Sequence, residues 1–407
     1  LDVSKNPNLT YLYAFYNKLT SLNVNNNINL TYLDVYDNQL TSLDVSKNPN
    51  LTNLGVSDNQ LTSLDVSKNP NLTNLGVGNN QLTNLELPKE NGNKLETIFA
   101  YNNKLTSLNV NNNANLTYLD AFLNKLMSLD VSKNPNLTYL NVGGNQLISL
   151  DVSKNPNLTD LAVSDNQLTN LDSSKNINLT ELNVRYNKLT SLDISKNINL
   201  TKLDASNNQL TSLDVNNNVN LIELSAYKNQ LTELDVSKNA KLERLYASNN
   251  QLTNLDVSNN INLIELDVSG NRLSSLILGS KIKPLDKLTS IKATYNLLEI
   301  INLEGLPNLE ELYISSNPIN EIDTSNNPKL KTLENEPMPI NKNFDDANFY
   351  KSIIDEFNIE YKTTLTINDN LTDEQLKMIK RLPVRNNVYS AKGIEKLTNL
   401  SYLSADN

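Results

Sequence analysis

Residues 30–50 read LTYLDVYDNQLTSLDVSKNPN and residues 51–71 read LTNLGVSDNQLTSLDVSKNPN. The two stretches differ only where Tyr32, Asp34 and Tyr36 become Asn53, Gly55 and Ser57. A period of 21 residues is therefore explicit in the sequence, and such self-similarity signals a stacked-coil architecture. One Asn marks each coil: Asn17, Asn38, Asn59, Asn80, Asn103, Asn124, Asn145, Asn166, Asn187, Asn208, Asn229, Asn250, Asn271, Asn296 and Asn317. All but two of the intervals equal the period. The exceptions are short insertions around Pro88–Asn93 and Gly279–Asp286, whose Pro or Gly content predicts loops that bulge outward.

Each coil holds two similar halves, LxxLxVxxNx and LTSLDVSKNPN, and in each half a Leu-x-Val segment alternates with period two, as a short strand does. In one coil Leu30, Leu33, Val35, Leu40, Leu43 and Val45 point inward. Burying each is worth ~1.5–3 kcal/mol, but only when neighbouring coils cover it above and below. Asn38 and Asn48, with their equivalents, sit where the chain turns, and an Asn amide there can satisfy backbone groups that a tight corner leaves unpaired. Pro7, Pro49, Pro70, Pro135 and Pro156 stiffen the second corner by fixing φ. The expected fold is a mostly β solenoid with two short parallel strands per coil. At the strand spacing of ~4.8 Å, fifteen or sixteen coils would make a gently curved rod of roughly 70–80 Å.

LxxLxVxxN resembles the leucine-rich-repeat consensus. The nested 21-residue form, with a second LxxLDV where other repeats carry a helix, is similar to that of internalin-like surface proteins of Gram-positive bacteria. The resemblance covers residues 1 to about 334. Some of these relatives carry a cysteine ladder at the third apolar position. Here that column reads Ala14, Val35, Val56, Val77, Ala100, Ala121 and Val142, so thiol-specific behaviour is not implied.

Composition excludes whole classes of chemistry. The chain of 407 residues contains no Cys, His or Trp. Thiolate nucleophiles, zinc–thiolate sites and histidine general bases are thereby absent, and no cofactor or metal is expected. A net charge of −10 disfavours nucleic-acid binding. No apolar run is long enough to span a bilayer. The sequence opens in mid-repeat at Leu1-Asp2-Val3, so an N-terminal cap, a signal peptide and any anchor are expected to lie outside it.

The repeat dissolves after Leu333. Residues 335–343, NEPMPINKN, read as a linker between the array (1–334) and a C-terminal segment (344–407). Helices are predicted over 345–357 and over 372–382, the second opening with a Thr372/Gln375 capping box. Residues 393–407, GIEKLTNLSYLSADN, restart the LxxL pattern. Two helices followed by GIxxLTNLxxL resemble the N-terminal cap of such arrays, which implies a second array beginning at 344 and broken off within its first coil. The stretch FNIEYKTTLTINDN (357–370) lacks the Asp spacing of a calcium loop, so no calcium is expected there.

Function is sought where coils differ. The variable x positions of LxxLxVxxN should line one exposed face. Tyr11, Tyr13, Phe15, Tyr16, Tyr32 and Tyr36 cluster there in the first two coils; Phe99, Tyr101, Tyr118, Phe122 and Tyr139 form a second cluster. Farther along, the same columns turn charged, at Asp160, Glu181, Lys202, Glu223, Arg244 and Glu265. Exposed aromatics on a rigid sheet bring large contact area at low entropy cost. The structural alternative is that they stack along the sheet and shield neighbouring coils.

Three further columns read as structural. The Asp ladder from Asp44 to Asp256 is expected to be balanced by Lys47, Lys68, Lys133, Lys154, Lys196 and Lys238, not to bind cations. Recurrent Asn-Leu-Thr matches a glycosylation sequon but follows from the repeat. The Thr ladder through Thr20, Thr41, Thr62 and Thr83 is broken at Met127 and Ile148, which argues against ice or ordered-water binding. The expected function is non-enzymatic: an extracellular or cell-wall-associated adhesion module that binds a protein or cell-surface ligand through the variable face. A passive stalk is the alternative, and ice binding a remote one.

Overall fold

A computed structural model describes residues 1–89, 92–319, 321–336, 347–363, 371–384 and 394–405. The chain divides into two compact units, Leu1–Gln230 and Leu231–Asn407.

In the first unit, eleven three-residue strands, from Tyr11–Tyr13 and Tyr32–Asp34 to Lys202–Asp204 and Glu223–Ser225, pair in parallel, one from each coil. The register is one coil per strand, with Tyr11 opposite Tyr32, Leu12 opposite Leu33 and Tyr13 opposite Asp34. A one-residue slip would turn every strand leucine outward, so the burial of those leucines locks the register. Leu30, Leu33, Val35, Leu40 and Val45 are fully buried, as are their equivalents through most of the array. The third-position column, Val35, Val56, Val77, Ala100 and Ala121, is also fully buried, which explains its restriction to small residues. The second unit repeats the arrangement over the strands Arg244–Tyr246, Glu265–Asp267, Ser290–Lys292, Glu311–Tyr313 and Thr332–Glu334.

The second Leu-x-Val segment is also buried in most coils but, among the described residues, pairs as a strand in only two places. These are Ser63–Asp65 with Asn84–Glu86, and Asn254–Asp256 with Ser275–Ile277. Both pairs immediately precede the two insertions. There Thr83 N–H donates to the Thr62 carbonyl at 2.9 Å and Ser274 N–H to that of Thr253 at 3.0 Å. These bonds add to one a step earlier that runs along this side from Gln39 N–H to the Leu19 carbonyl onward, and is kept at Gln81 and Arg272. The insertion at 279–286 does bulge, leaving Ile282 97 % exposed. Two residues of the other insertion, 90 and 91, lie outside the described residues.

Corner asparagines carry the backbone accounting of the coils. The Asn38 amide donates to the carbonyls of Ala14, Val35 and Tyr36, and its Oδ1 accepts from Leu19 N–H at 2.9 Å. Asn48 donates to Val24 and Asn27 of the preceding coil. Even the sequon residues are used this way: Asn50 donates to Ile28 O, and the Thr52 hydroxyl to Thr31 O. The Asp ladder has a further part in the turns. Asp44 Oδ1 accepts from Ser46 N–H two residues on, at 2.9 Å, and the same turn recurs at Asp65, Asp130, Asp151 and Asp193. These hydrogen bonds, followed by those to the serine hydroxyls, hold the Asp44 and Asp130 carboxyls below the usual carboxylate range; the lysine is a minor contributor. Each Asp caps a local turn, and at Asp44 and Asp130 the neighbouring lysine adds a smaller favourable charge.

In the C-terminal segment, helix α1 (Ala347–Tyr361) and helix α2 (Asp373–Met378) enclose a separate small core of Phe349, Tyr350, Ile353, Ile354, Phe357, Leu371, Leu376, Ile379, Leu382 and Leu397. The Thr372/Gln375 capping box forms in both directions. Helix α2 is shorter than the pattern over 372–382 predicts. Ile379 is already extended, and Arg381–Val384 is a strand in parallel register with Tyr402–Ala405. Pro383 disfavours a helical Leu382. Residues 337–343 of the expected linker and 364–370 of the stretch weighed for calcium lie outside the described residues.

Candidate binding face

From Tyr32–Asp34 to Glu311–Tyr313 the array strands bury their central Leu or Ile, and most turn their first and third residues outward. The chain then runs through two more outward positions before the ladder Asn. The second of these is left-handed in coil after coil: Tyr16 (φ 53°), Asp37 (51°), Asp58 (54°), Asn79 (51°), Leu123 (52°) and Tyr186 (52°). Left-handed backbone is cheap for Gly, Asn and Asp and costly for bulky residues. The recurrence of Asp, Asn and Gly at 37, 58, 79, 102, 144, 165 and 207 is the signal for this turn, and sequence reading passed over it.

The two aromatic groups occupy this face but stand differently on it. In the first, Tyr13 lies 4.8 Å from Tyr32 between ring centroids, and Tyr11 stacks on Tyr32 at 6.2 Å. Phe15 meets Tyr16 edge-on at 5.7 Å, and Tyr16 meets Tyr36 at 5.2 Å. Tyr11, Tyr13 and Tyr16 remain 59 %, 56 % and 67 % exposed. The Tyr36 phenol is pushed up to about 12 by its hydrogen bond with the Tyr16 hydroxyl, and the Asp58 carboxylate adds to the shift.

The second group is laid down onto the sheet. Tyr118 and Tyr139 stack face to face at 4.1 Å, and Phe99 tilts against Tyr118 at 4.9 Å. Burial is the first cause of the raised Tyr118 phenol, its hydrogen bond with Tyr139 the second. Tyr101 covers Gly78, where an added Cβ would meet the ring at 2.5 Å, and Phe122 covers Gly143. Tyr101, Tyr118, Phe122 and Tyr139 are only half-exposed.

Sequence reading also missed residues on the same face. Leu123 and Tyr186 project from left-handed backbone and are 46 % and 43 % exposed; the Arg185 guanidinium lies 5.3 Å from the Tyr186 ring centre. In the charged columns Lys202 pairs with Glu181 at 2.8 Å. In the second unit a recess of about 360 Å³ opens on the strand face, lined by Tyr246, Glu265, Asp267, Lys292 and Glu311 among others. Among the described residues no acidic group has metal-ligating geometry, and no helix is long and apolar enough to cross a membrane.

Comparison with known proteins places this geometry. The family described as "Leucine Rich repeat" matches residues 133–151, 154–171 and 175–196. No curated protein matches the chain by sequence. Among solved structures, the functional domain of InlJ from Listeria monocytogenes is 33 % identical with a TM-score of 0.66, over 81 % of this chain and 68 % of that one. The leucine-rich-repeat protein LIC12759 of Leptospira interrogans is 27 % identical, TM-score 0.66, over 81 % and 97 %. YopM, a leucine-rich effector protein from Yersinia pestis, is 30 % identical, TM-score 0.56, over 81 % and 84 %. The InlJ domain includes a cysteine ladder, whereas this chain has no cysteine and fills its small buried column with Val and Ala. With that substitution understood, the chain belongs to the internalin-like family of bacterial leucine-rich-repeat proteins.

Proposed function

We propose that the protein is a non-enzymatic adhesion module that binds a protein or cell-surface ligand through the strand face of its first coils. The observation that carries this reading is the exposure of Tyr11, Tyr13, Phe15 and Tyr16, held in ring contact on a hydrogen-bonded ladder. Large apolar rings left open to water on a rigid surface are costly unless a partner covers them. The internalin-like membership supports an extracellular or cell-wall location. Residues 344–407 fit the cap and first coil of a second array. Their strands pair at a one-coil register, and Asn399 and Ser401 donate to Lys377 and Lys380 as Asn29 and Thr31 donate to Pro7 and Thr10.

A second reading, the passive stalk, draws on the group around Tyr118, whose rings cover glycines and each other. The test is saturable binding of the purified protein to intact host cells and immobilised matrix proteins, beside a variant with Tyr11, Tyr13, Tyr32 and Tyr36 replaced by Ala. Binding lost in the still-folded variant supports the adhesive face. Equal binding by both proteins removes the function from this face, and binding by neither leaves the stalk.

A further inference from the structure

The first aromatic group sits among carboxylates. Over residues 10–18, 31–39 and 52–60 the charged side chains are Asp34, Asp37 and Asp58 against the single cation Lys18. Asp34 stands in register with Tyr13, and its charge contributes, after burial, to the raised Tyr32 phenol. Asp58 and Asp37 act likewise on Tyr36. Asp34 is held in place because its Oδ1 accepts from Tyr36 N–H at 3.1 Å. The next coil leaves room for it: a Cβ on Gly55 would fall 2.9 Å from that oxygen. Tyr16 is kept in left-handed backbone at a position where neighbouring coils carry Asp or Asn.

Aromatic faces are electron-rich, and with carboxylates beside them they attract organic cations and repel anions. The chain itself uses this pairing elsewhere. Arg185 lies over Tyr186, Lys292 over Tyr313 at 5.7 Å, and Arg381 over Tyr402 at 4.9 Å. The group around Tyr118 is closed to a guest by its own 4.1 Å stacking. We propose that the face formed by Tyr13, Tyr16, Tyr32 and Tyr36 with Asp34, Asp37 and Asp58 receives arginine or lysine side chains from a basic segment of a partner protein. This rests on the binding reading above and gives it a partner chemistry. A guanidinium stacks on tyrosine and donates from its edge to a carboxylate, so the two components of the face act on one side chain.

The experiment measures binding of a fluorescent arginine-rich peptide to the full chain, with glutamate-rich and glycine–serine peptides of equal length as controls. Two variants address the face: Asp34→Asn/Asp37→Asn/Asp58→Asn and Tyr13→Leu/Tyr36→Leu. The first uses residues the repeat already places in those columns, at Asn141, Asn79 and Asn102, so the fold should persist. Saturable binding of the arginine peptide alone is expected, weakened about tenfold or more by either variant. It should also weaken at about 1 M salt, where screening reaches inside ~3 Å. A distant triple, Asp130→Asn/Asp151→Asn/Asp172→Asn, should leave it unchanged. Wild-type affinity in the Asp34/Asp37/Asp58 variant would overturn the proposal. So would an equal loss in the distant triple, which would signal mere attraction to an acidic chain. If the four-alanine tyrosine variant loses cell binding while the arginine peptide never binds wild type, the face binds by other chemistry; this inference then falls and the adhesive reading stands.

Discussion

Ser173 donates its hydroxyl proton to Asn197 Oδ1 across neighbouring coils, at 2.8 Å. Ser173 occupies the column that holds Val131, Val152 and Ile194 in adjacent coils, and it is fully buried. Where that column holds valine, the matching amide oxygens of Asn155 and Asn176 are buried without a protein donor. The repeat tolerates an orphaned acceptor in coil after coil because the amide nitrogen ties two carbonyls of the coil before it. Asn155, for instance, donates to Val131 and Asn134 at 2.9 and 2.8 Å.

Val131→Ser should therefore be less damaging than Val131→Ala, the reverse of the usual preference in an apolar core. The serine can reach Asn155 Oδ1 as Ser173 reaches Asn197, worth about 1 kcal/mol. Ser173→Ala should cost about the same amount. Urea unfolding of the three variants decides it; an alanine at 131 more stable than the serine would refute the account.

Asn166 shows what the other ladder contributes. Its amide donates to Val142, Val163 and Ser164, and its Oδ1 accepts from Leu147 N–H at 2.9 Å. Asn166→Ala strands the buried Leu147 N–H and removes one donor from carbonyls that Asn145, Asn187 and Gly144 still serve, and should cost about 2 kcal/mol. Asn166→Asp keeps the acceptor but removes both donors and buries a charge, so it should be worse at neutral pH and recover partly in acid. Unfolding midpoints at two pH values test both statements.

Leu123 holds left-handed backbone with its side chain 46 % exposed. Asn102, one coil earlier, serves the same position and donates to Asn79 Oδ1 at 2.7 Å. Leu123→Asn should stabilise the protein by about 1 kcal/mol, and Asn102→Leu should destabilise it comparably. Equal midpoints for wild type and Leu123→Asn would mean that the leucine is compensated by packing.

The turn-capping aspartates predict the acid limb of stability. Asp44, Asp130 and Asp193 are held below their ordinary values, first by the backbone N–H of Ser46, Ser132 and Ser195; for Asp151 the Ser153 hydroxyl leads. A depressed folded pKa means the stabilisation is complete above the ordinary aspartate pKa of about 3.9 and is lost as pH falls through the folded values. Replacing these four residues with Asn, which caps the same turn at Asn23 and Asn109, should shrink the loss of unfolding free energy between neutral and acid pH. An acid loss as large as in wild type would place the sensitivity elsewhere.

Much of the molecule was legible before any coordinate. The Leu and Val spacing stated the core, the marker asparagines stated the corners, and the departures at 88–93 and 279–286 stated the insertions. The second strand of each coil was overread. A Leu-x-Val segment specifies which side chains are buried, whereas pairing also needs the ladder hydrogen bonds, and among the described residues only Ser63–Asp65 and Asn254–Asp256 pair with the segment of the following coil. Residues 379–382 were overread as helix for a related reason: Ile379 and Leu382 are buried at a spacing that suits a helix, but Pro383 and the partner strand Tyr402–Ala405 draw the backbone out.

The candidate face divides in the same way. Sequence alone determined which columns vary and that two of their stretches are aromatic, because a repeat with fixed inward positions leaves only the outward ones free. It also determined that a small apolar residue stands two positions after each strand leucine through most of the array, since stacked coils leave little volume there. Only the tertiary structure decided that Tyr11, Tyr13 and Tyr16 stand open while Tyr118 and Tyr139 lie against one another. Exposure on a repeat surface is set by the side chains one coil above and below. Those neighbours are some 21 residues away in sequence, and their ring angles and glycine-made hollows have no signature along the chain.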